Sequence, residues 1–224
     1  MTRPLPGETI DFHTHSTRRE GFYVMNVFAQ DLAHGLPDTA NCSIGLHPWH
    51  LEIASPSVCM QHLKNFAGNE KVIAIGETGL DRNIAIPLDQ QMEVFLAQLD
   101  LAEATGKPVV IHCVKAYSDI IAIRKSRKWN MHWIIHWFNA NLQIAEDLIR
   151  AGCFLSFGRS LLHPNGKNAE VFRQVPFVAV FFETDDAEIT IESVYQKAAT
   201  LKDIGIDELK TRITENFDRL FLKK

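Results

Sequence analysis

The chain has little cysteine, no long apolar run and no surplus of positive charge, and each shortage excludes something. Its four cysteines, Cys42, Cys59, Cys113 and Cys153, are widely spaced and form no CxxC pair. That spacing fits neither a zinc ribbon nor a redox motif. A chain of 224 residues needs no disulfide staples, so the thiols are expected to be reduced and mostly buried, in a reducing compartment. The longest apolar run, Phe177 to Phe182, is far too short to span a bilayer. The opening residues MTRPLPGETIDFHTH lack the apolar stretch of a signal peptide. A cytoplasmic location without membrane association is therefore expected. Lys and Arg number 23 against 27 Asp and Glu, for a formal net charge of −4. That is not the balance of a protein that wraps nucleic acid with a broad basic surface. Repeats, low-complexity stretches and Pro/Gly-rich linkers are missing too. One domain over residues 1–224 is expected, with no obligatory protein partner evident.

What the chain does have is ten histidines, the side chain that most often ligates transition metals and titrates near neutrality. Short β-rich runs alternate with helical ones. Residues 9–15, 23–28, 41–46, 71–77, 108–113, 133–137, 153–157 and 177–183 read as strands, dense in Val, Ile and Phe and bounded by turn residues. Residues 88–105 read as the clearest helix, with Met92, Phe95, Leu96, Leu99 and Ala102 at helical spacing and a Gly106-Lys107-Pro108 stop. Residues 117–127, 142–151, 191–204 and 206–221 are further helices, with Asn141 and Asp207 as caps. Residues 17–41 are weakly patterned. Eight strands alternating with helices predict an α/β fold, a (β/α)8 TIM barrel, with an open doubly wound sheet as the rival. In either architecture, polar residues at the carboxyl ends of strands form the site.

Those ends are rich in metal-type ligands. The first strand ends in Asp11-Phe12-His13-Thr14-His15, where residues two apart share one face. Others end in Glu77 and Asp81, in His112, in His136, and in Glu183-Thr184-Asp185. Any one such residue is ordinarily a cap or turn residue; five strands ending alike point to a site. Imidazole with carboxylate suits zinc, manganese, iron or nickel. Six ligands exceed what one catalytic zinc takes. Two divalent ions sharing a carboxylate fit the count and lead to hydrolysis. Asp11 sits deeper and is placed to orient a ring nitrogen.

The motifs DFHTH, GLHPWH, IGETGLD, VVIHCV, IIHWF, FFETD and ENFDRLF, spread from residue 11 to 221, resemble the TatD family of metal-dependent hydrolases within the amidohydrolase-like barrels. The resemblance implies a one- or two-metal barrel. Its HxH pair matches His13 and His15, and its bridging acid matches Glu77. Its two later histidines match His112 and His136, and its ETD acid, a ligand and proton acceptor, matches Asp185. Of these, His13, His15, Glu77 and Asp185 are expected on the first ion, and Glu77, His112 and His136 on the second. Glu77 and Asp185 are the expected catalytic groups, with Asp11, Asp81 and Glu183 supporting the ligands from one contact further out. The ions could be zinc, manganese, magnesium, iron or nickel. His47 matches a histidine beside the substrate. The family's arginine after the IH motif is Val114 here, with Lys115 adjacent. Its small HxFSG turn has become Trp137-Phe138-Asn139-Ala140, its aromatic pair after GLD is Arg82-Asn83, and its Ser-Pro after ETD is Asp186-Ala187.

Arg159, Lys115 and Arg82 are candidate phosphate contacts. His50 is a candidate for the pocket. His132 is expected to be structural, and His34, His62 and His163 solvated. Trp133, Ile135 and Trp137 are expected to pack as core. Hydrolysis of DNA phosphodiester bonds at ends or single strands, by attack of a metal-activated water, is the leading expectation. The alternative is a hydrolase of a small amide, lactone or phosphoester at the same site. A non-catalytic binding barrel is the third reading.

Overall fold

A computed structural model describes residues 2–16, 21–38, 40–163 and 166–221. Eight strands alternate with seven α-helices among them. The strands are β1 (Ile10–Thr14), β2 (Phe22–Phe28), β3 (Cys42–Gly45), β4 (Val72–Asp81), β5 (Val109–Val114), β6 (Trp133–Ile135), β7 (Cys153–Phe157) and β8 (Val180–Phe182). The helices are α1 (Pro56–Phe66), α2 (Leu88–Thr105), α3 (Tyr117–Ser126), α4 (Leu142–Arg150), α5 (Lys167–Gln174), α6 (Ile191–Lys202) and α7 (Ile206–Phe221). The strands form one parallel sheet in chain order, and a parallel bridge joins Thr14 of β1 to Asp185 just beyond β8. The fold is the (β/α)8 barrel that the alternation predicts, and the open sheet is set aside.

The described chain divides into two compact units: Thr2 with 25–135, and 3–24 with His136–Phe221. In the first, Ile44, Ile75, Val110, Phe95, Leu99 and Trp133 are fully buried. Trp133 also carries the Arg124 guanidinium 5.1 Å from its ring. The second is aromatic: Phe12 stacks on Phe181 at 4.3 Å, and Phe157, Phe172, Phe182 and Tyr195 follow one another ring to ring. All four cysteines are free and buried. Among the described residues no helix is long and apolar enough to cross a membrane.

Several elements differ from the sequence reading. Residues 177–183 split into a short 3-10 turn (Phe177–Ala179) and a strand of three residues. The buried face of α2 is Gln91, Phe95, Gln98, Leu99 and Ala102; Leu96 is exposed, because two glutamines make backbone contacts that the apolar periodicity does not register. Asn141 caps α4, accepting from the Ile144 amide at 3.0 Å, whereas Asp207 lies inside the first turn of α7. Helices α1 and α5 are additional to the sequence reading.

Candidate metal centre

Each unit carries one cluster of ligand-type side chains. In the second unit, β1 is buried along its whole length, Asp11 and His13 included, with half-buried His15 directly after the strand. The imidazole Nε2 atoms of His13 and His15 lie 3.5 and 3.1 Å from one Asp185 carboxylate oxygen. Asp185 is placed by β1: its amide donates to the His13 carbonyl at 2.9 Å, and the His15 amide donates to its carbonyl at 3.2 Å. Asp11 accepts from the Thr184 amide at 2.9 Å and from its hydroxyl at 2.6 Å, holding the residue beside Asp185. Tyr195 of α6 fixes the start of β1, its hydroxyl accepting from the Ile10 amide and donating to the Ile10 carbonyl. Burial works against the charge of Asp185. Hydrogen bonds from His13 and His15, and the charges of His13 and His136, outweigh it and hold the carboxyl far below the usual range.

His136 follows β6 and lies ring to ring with His13 at 4.6 Å. Its Nδ1 is 3.8 Å from Glu183. Glu183 is fully buried, which pushes its carboxyl up despite His136 and His13, and it accepts the Trp137 amide. Trp137 is not core as expected. It sits beyond the strand at φ 45° and is half-buried, whereas Trp133 and Ile135 are buried as expected.

In the first unit the GETGLD motif lies inside β4, and the β4–β5 register shifts between Ile75 and Thr78. Gly79 is required there: at φ +153° a Cβ would stand 1.9 Å from the His112 carbonyl oxygen. The close approach brings Glu77 Oε1 to 3.0 Å from His112 Nδ1, while Asp81 Oδ2 lies 3.1 Å from His112 Nε2. Burial alone would lower the His112 pKa, but the two carboxylates raise it to about 9. Asp81 is correspondingly lowered to about 2, against its burial, by His112 and by the Trp49 indole at 2.7 Å. His47 Nε2 is 3.0 Å from the same Glu77 oxygen. Its Nδ1 accepts the Trp49 amide as a helix cap, so the neutral ring keeps its proton on Nε2 and donates it to Glu77.

Three residues that organise this cluster were not singled out from the sequence. Asn26 accepts the Glu77 amide at 2.8 Å and the Ser43 hydroxyl at 3.1 Å. Gln98 accepts the Leu46 amide at 2.8 Å and donates to the Leu46 carbonyl and the Thr78 hydroxyl. Gln91 does the same for Asp81, accepting its amide and donating to its carbonyl. The available signal was two amides seven apart on the apolar face of α2.

The cationic candidates are dispersed. Arg82 forks onto Asp119 at 2.9 Å. Lys115 is exposed at φ 54° after β5. Arg159 is exposed, 5.9 Å from the Trp137 ring. His50 meets Gln30 at 2.9 Å, and His132 accepts the Val109 amide through its carbonyl. His34 and His163 are exposed as expected, but His62 is half-buried, with Nδ1 3.2 Å from the Ala29 carbonyl; a side chain on the inner edge of α1, a helix the reading did not include, finds a backbone partner.

The donor sets fit divalent metal. The ligand atoms of His13, His15 and Asp185 lie within 4.8 Å of one another, as do those of His47, Glu77 and His112. Imidazole with carboxylate is the chemistry of zinc, manganese, iron or nickel. In both groups ring nitrogens crowd one carboxylate oxygen, where a bound cation would replace the attraction that a protonated ring otherwise supplies.

Comparison with known proteins agrees with that chemistry. The family model for TatD related DNase matches residues 20–222. A metal-dependent hydrolase of Bacillus subtilis, YabD, is 30% identical over 200 residues, covering 82% of this chain and 78% of its own. A protein of Erwinia billingiae named 3'-5' ssDNA/RNA exonuclease TatD is 35% identical over 133 residues, covering 58% of this chain and 49% of its own. The crystal structure of YJJV, a TatD homologue from Escherichia coli, superposes with a TM-score of 0.82 at 22% identity, covering 96% of this chain and 98% of that one.

Proposed function

The chain belongs to the TatD family of metal-dependent hydrolases, and from that premise we propose that it cleaves phosphodiester bonds of DNA, at ends or in single strands. The observation that carries this reading is the pair of imidazole–carboxylate groups, one in each unit, His47, Glu77 and His112 buried and His13, His15 and Asp185 partly so. In this reading His13, His15 and Asp185 hold one divalent ion, with His136 beside them as a further imidazole. Glu77 and His112 hold the second. Such ions lower the pKa of water and neutralise the charge that builds on phosphorus and its leaving oxygen.

The protein's own groups do the rest. Asp185, ionised across the physiological range, accepts a hydrogen bond from the attacking water and takes its proton as the bond to phosphorus forms and the bond to the leaving oxygen breaks, the proton then passing to that oxygen or to solvent. His47 donates to Glu77 and fixes that carboxylate. Asp81 orients His112, and Glu183 positions the turn that carries His136 and Trp137. The net charge of −4 is compatible with a nucleic-acid substrate because bound ions are the largest local positive charges. It favours short or single-stranded ends over long duplexes. The name of the Erwinia relative supports the same substrate class.

A second reading keeps both ions and changes the substrate to a small amide, lactone or phosphoester. Arg82 committed to Asp119, and Val114 in place of the family's arginine, favour it. Incubating the manganese-loaded protein with single-stranded DNA and with a panel of esters and amides separates the two. Cleavage of the DNA is expected, and none at stoichiometric enzyme overturns the nuclease reading. Glu77→Ala is expected to lose one metal equivalent by elemental analysis and at least about 100-fold in turnover; unchanged turnover removes Glu77 from the mechanism.

A further inference from the structure

Around Trp137, the residue that follows His136, lies a cavity of about 410 Å³, within the range of small-ligand sites. Its lining includes Trp137, Arg159, Gly166, Lys167 and Asn168, and no acidic side chain lines it among the described residues. We propose that this cavity is a nucleotide subsite, with the phosphate at the start of α5 between Arg159 and Lys167 and the base against Trp137. The proposal rests on the phosphodiesterase reading and names the part of the substrate that this unit grips.

Four observations carry it. Trp137 holds a left-handed backbone, φ 45°, which a bulky residue adopts only where its surroundings enforce it. Here the Glu183 carboxylate takes its amide. Gly158 makes room for the indole: a Cβ there would stand 3.3 Å from the ring and 3.0 Å from the Glu183 carbonyl. The ring therefore stays half-buried at the cavity instead of joining the core. An aromatic face of this kind stacks any base.

The cations converge on the same space. Arg159 and Lys167 are exposed, and neither forms an ion pair among the described residues. Gly166 caps the eight residues of α5 without a side-chain bond to the helix amides, leaving a helix start that suits an anion.

The fourth observation is specific to a ligand with donors of its own. Asn168 is 3% exposed, and its amide nitrogen donates to the Phe138 carbonyl and the Ser160 hydroxyl, each at 2.6 Å. Its oxygen is buried and accepts nothing among the described residues. A sugar hydroxyl or an exocyclic base amine satisfies it.

Calorimetric titration of the metal-loaded full chain with dAMP, deoxyadenosine and inorganic phosphate tests this. The expected result is dAMP binding about tenfold tighter than either other ligand. Trp137→Leu should reduce dAMP to the affinity of phosphate while leaving phosphate unchanged, and Arg159→Ala should weaken dAMP about tenfold. Both side chains are partly exposed, and thermal melts confirm folding. Binding of dAMP no tighter than phosphate, or dAMP affinity unchanged in either variant, overturns the proposal. Parallel cleavage of single-stranded DNA separates the two readings. A protein that binds dAMP this way and cuts no phosphodiester loses the nuclease reading and keeps the subsite. One that cuts DNA with KM unchanged in Trp137→Leu keeps the nuclease reading and loses the subsite.

Discussion

His112 stands between Glu77 at 3.0 Å and Asp81 at 3.1 Å, and its pKa, raised from 6.5 to about 9, makes the metal-free cluster sensitive to pH. A group whose folded pKa lies above its unfolded one stabilises fully below the unfolded value and loses that contribution as pH rises through the folded value. Melting of the chelated protein should therefore decline as pH climbs from 6.5 through about 9. Asn in place of His112 should flatten the curve, and so should saturation with metal, which takes the proton's place. Thermal melts across that window, with and without chelator, check it. The candidate ligands were legible as residues because alternation on β1 and the ends of apolar runs mark them in the chain. Asn26, Gln91 and Gln98 were not: a polar side chain within an apolar stripe looks like an interruption until its backbone partners are known.

Among elements, α2 does more than cover the sheet. Gln98 joins α2 to the residue before His47 and to the residue after Glu77, through Leu46 and Thr78. Gln98→Leu keeps the volume and strands those buried groups, so a loss of about 2–3 kcal/mol is expected, read as a lower denaturant midpoint at unchanged slope. If the site depends on this clamp, metal affinity should fall in the same variant. Strand β7 and helices α2 and α7 matched their sequence ranges because apolar period and stop signals coincide there. The range 177–183 did not, since a continuous apolar run looks the same in a buried 3-10 turn and in a strand. Helix α1, eleven residues from Pro56 with only Cys59 and Leu63 buried, shows too narrow an apolar face to stand out.

For the whole molecule, the eight-strand alternation was enough to read the barrel. Each unit holds its own ligand group, so metal should stabilise the fold as well as activate it. At a free metal concentration about 100 times Kd, binding contributes about 2.7 kcal/mol per site, which for a chain of this size raises Tm by several degrees. Scanning calorimetry of chelated and reloaded protein checks this. A Tm indifferent to metal would mean that neither group binds an ion in the folded state.

The closure between β1 and residue 185 has a consequence for synthesis. Asp11 and the Thr184 amide that it holds are 173 residues apart, so His13 and His15 leave the ribosome long before their carboxylate partner exists. Residues 25–135, which carry Glu77 and His112, are complete much earlier. At translation rates of about 5–20 residues per second, one ligand group is available seconds before the other. Capture of an ion by His13, His15 and Asp185, the binding proposed above, would then be a late event, one that marks a chain whose closing strand has arrived.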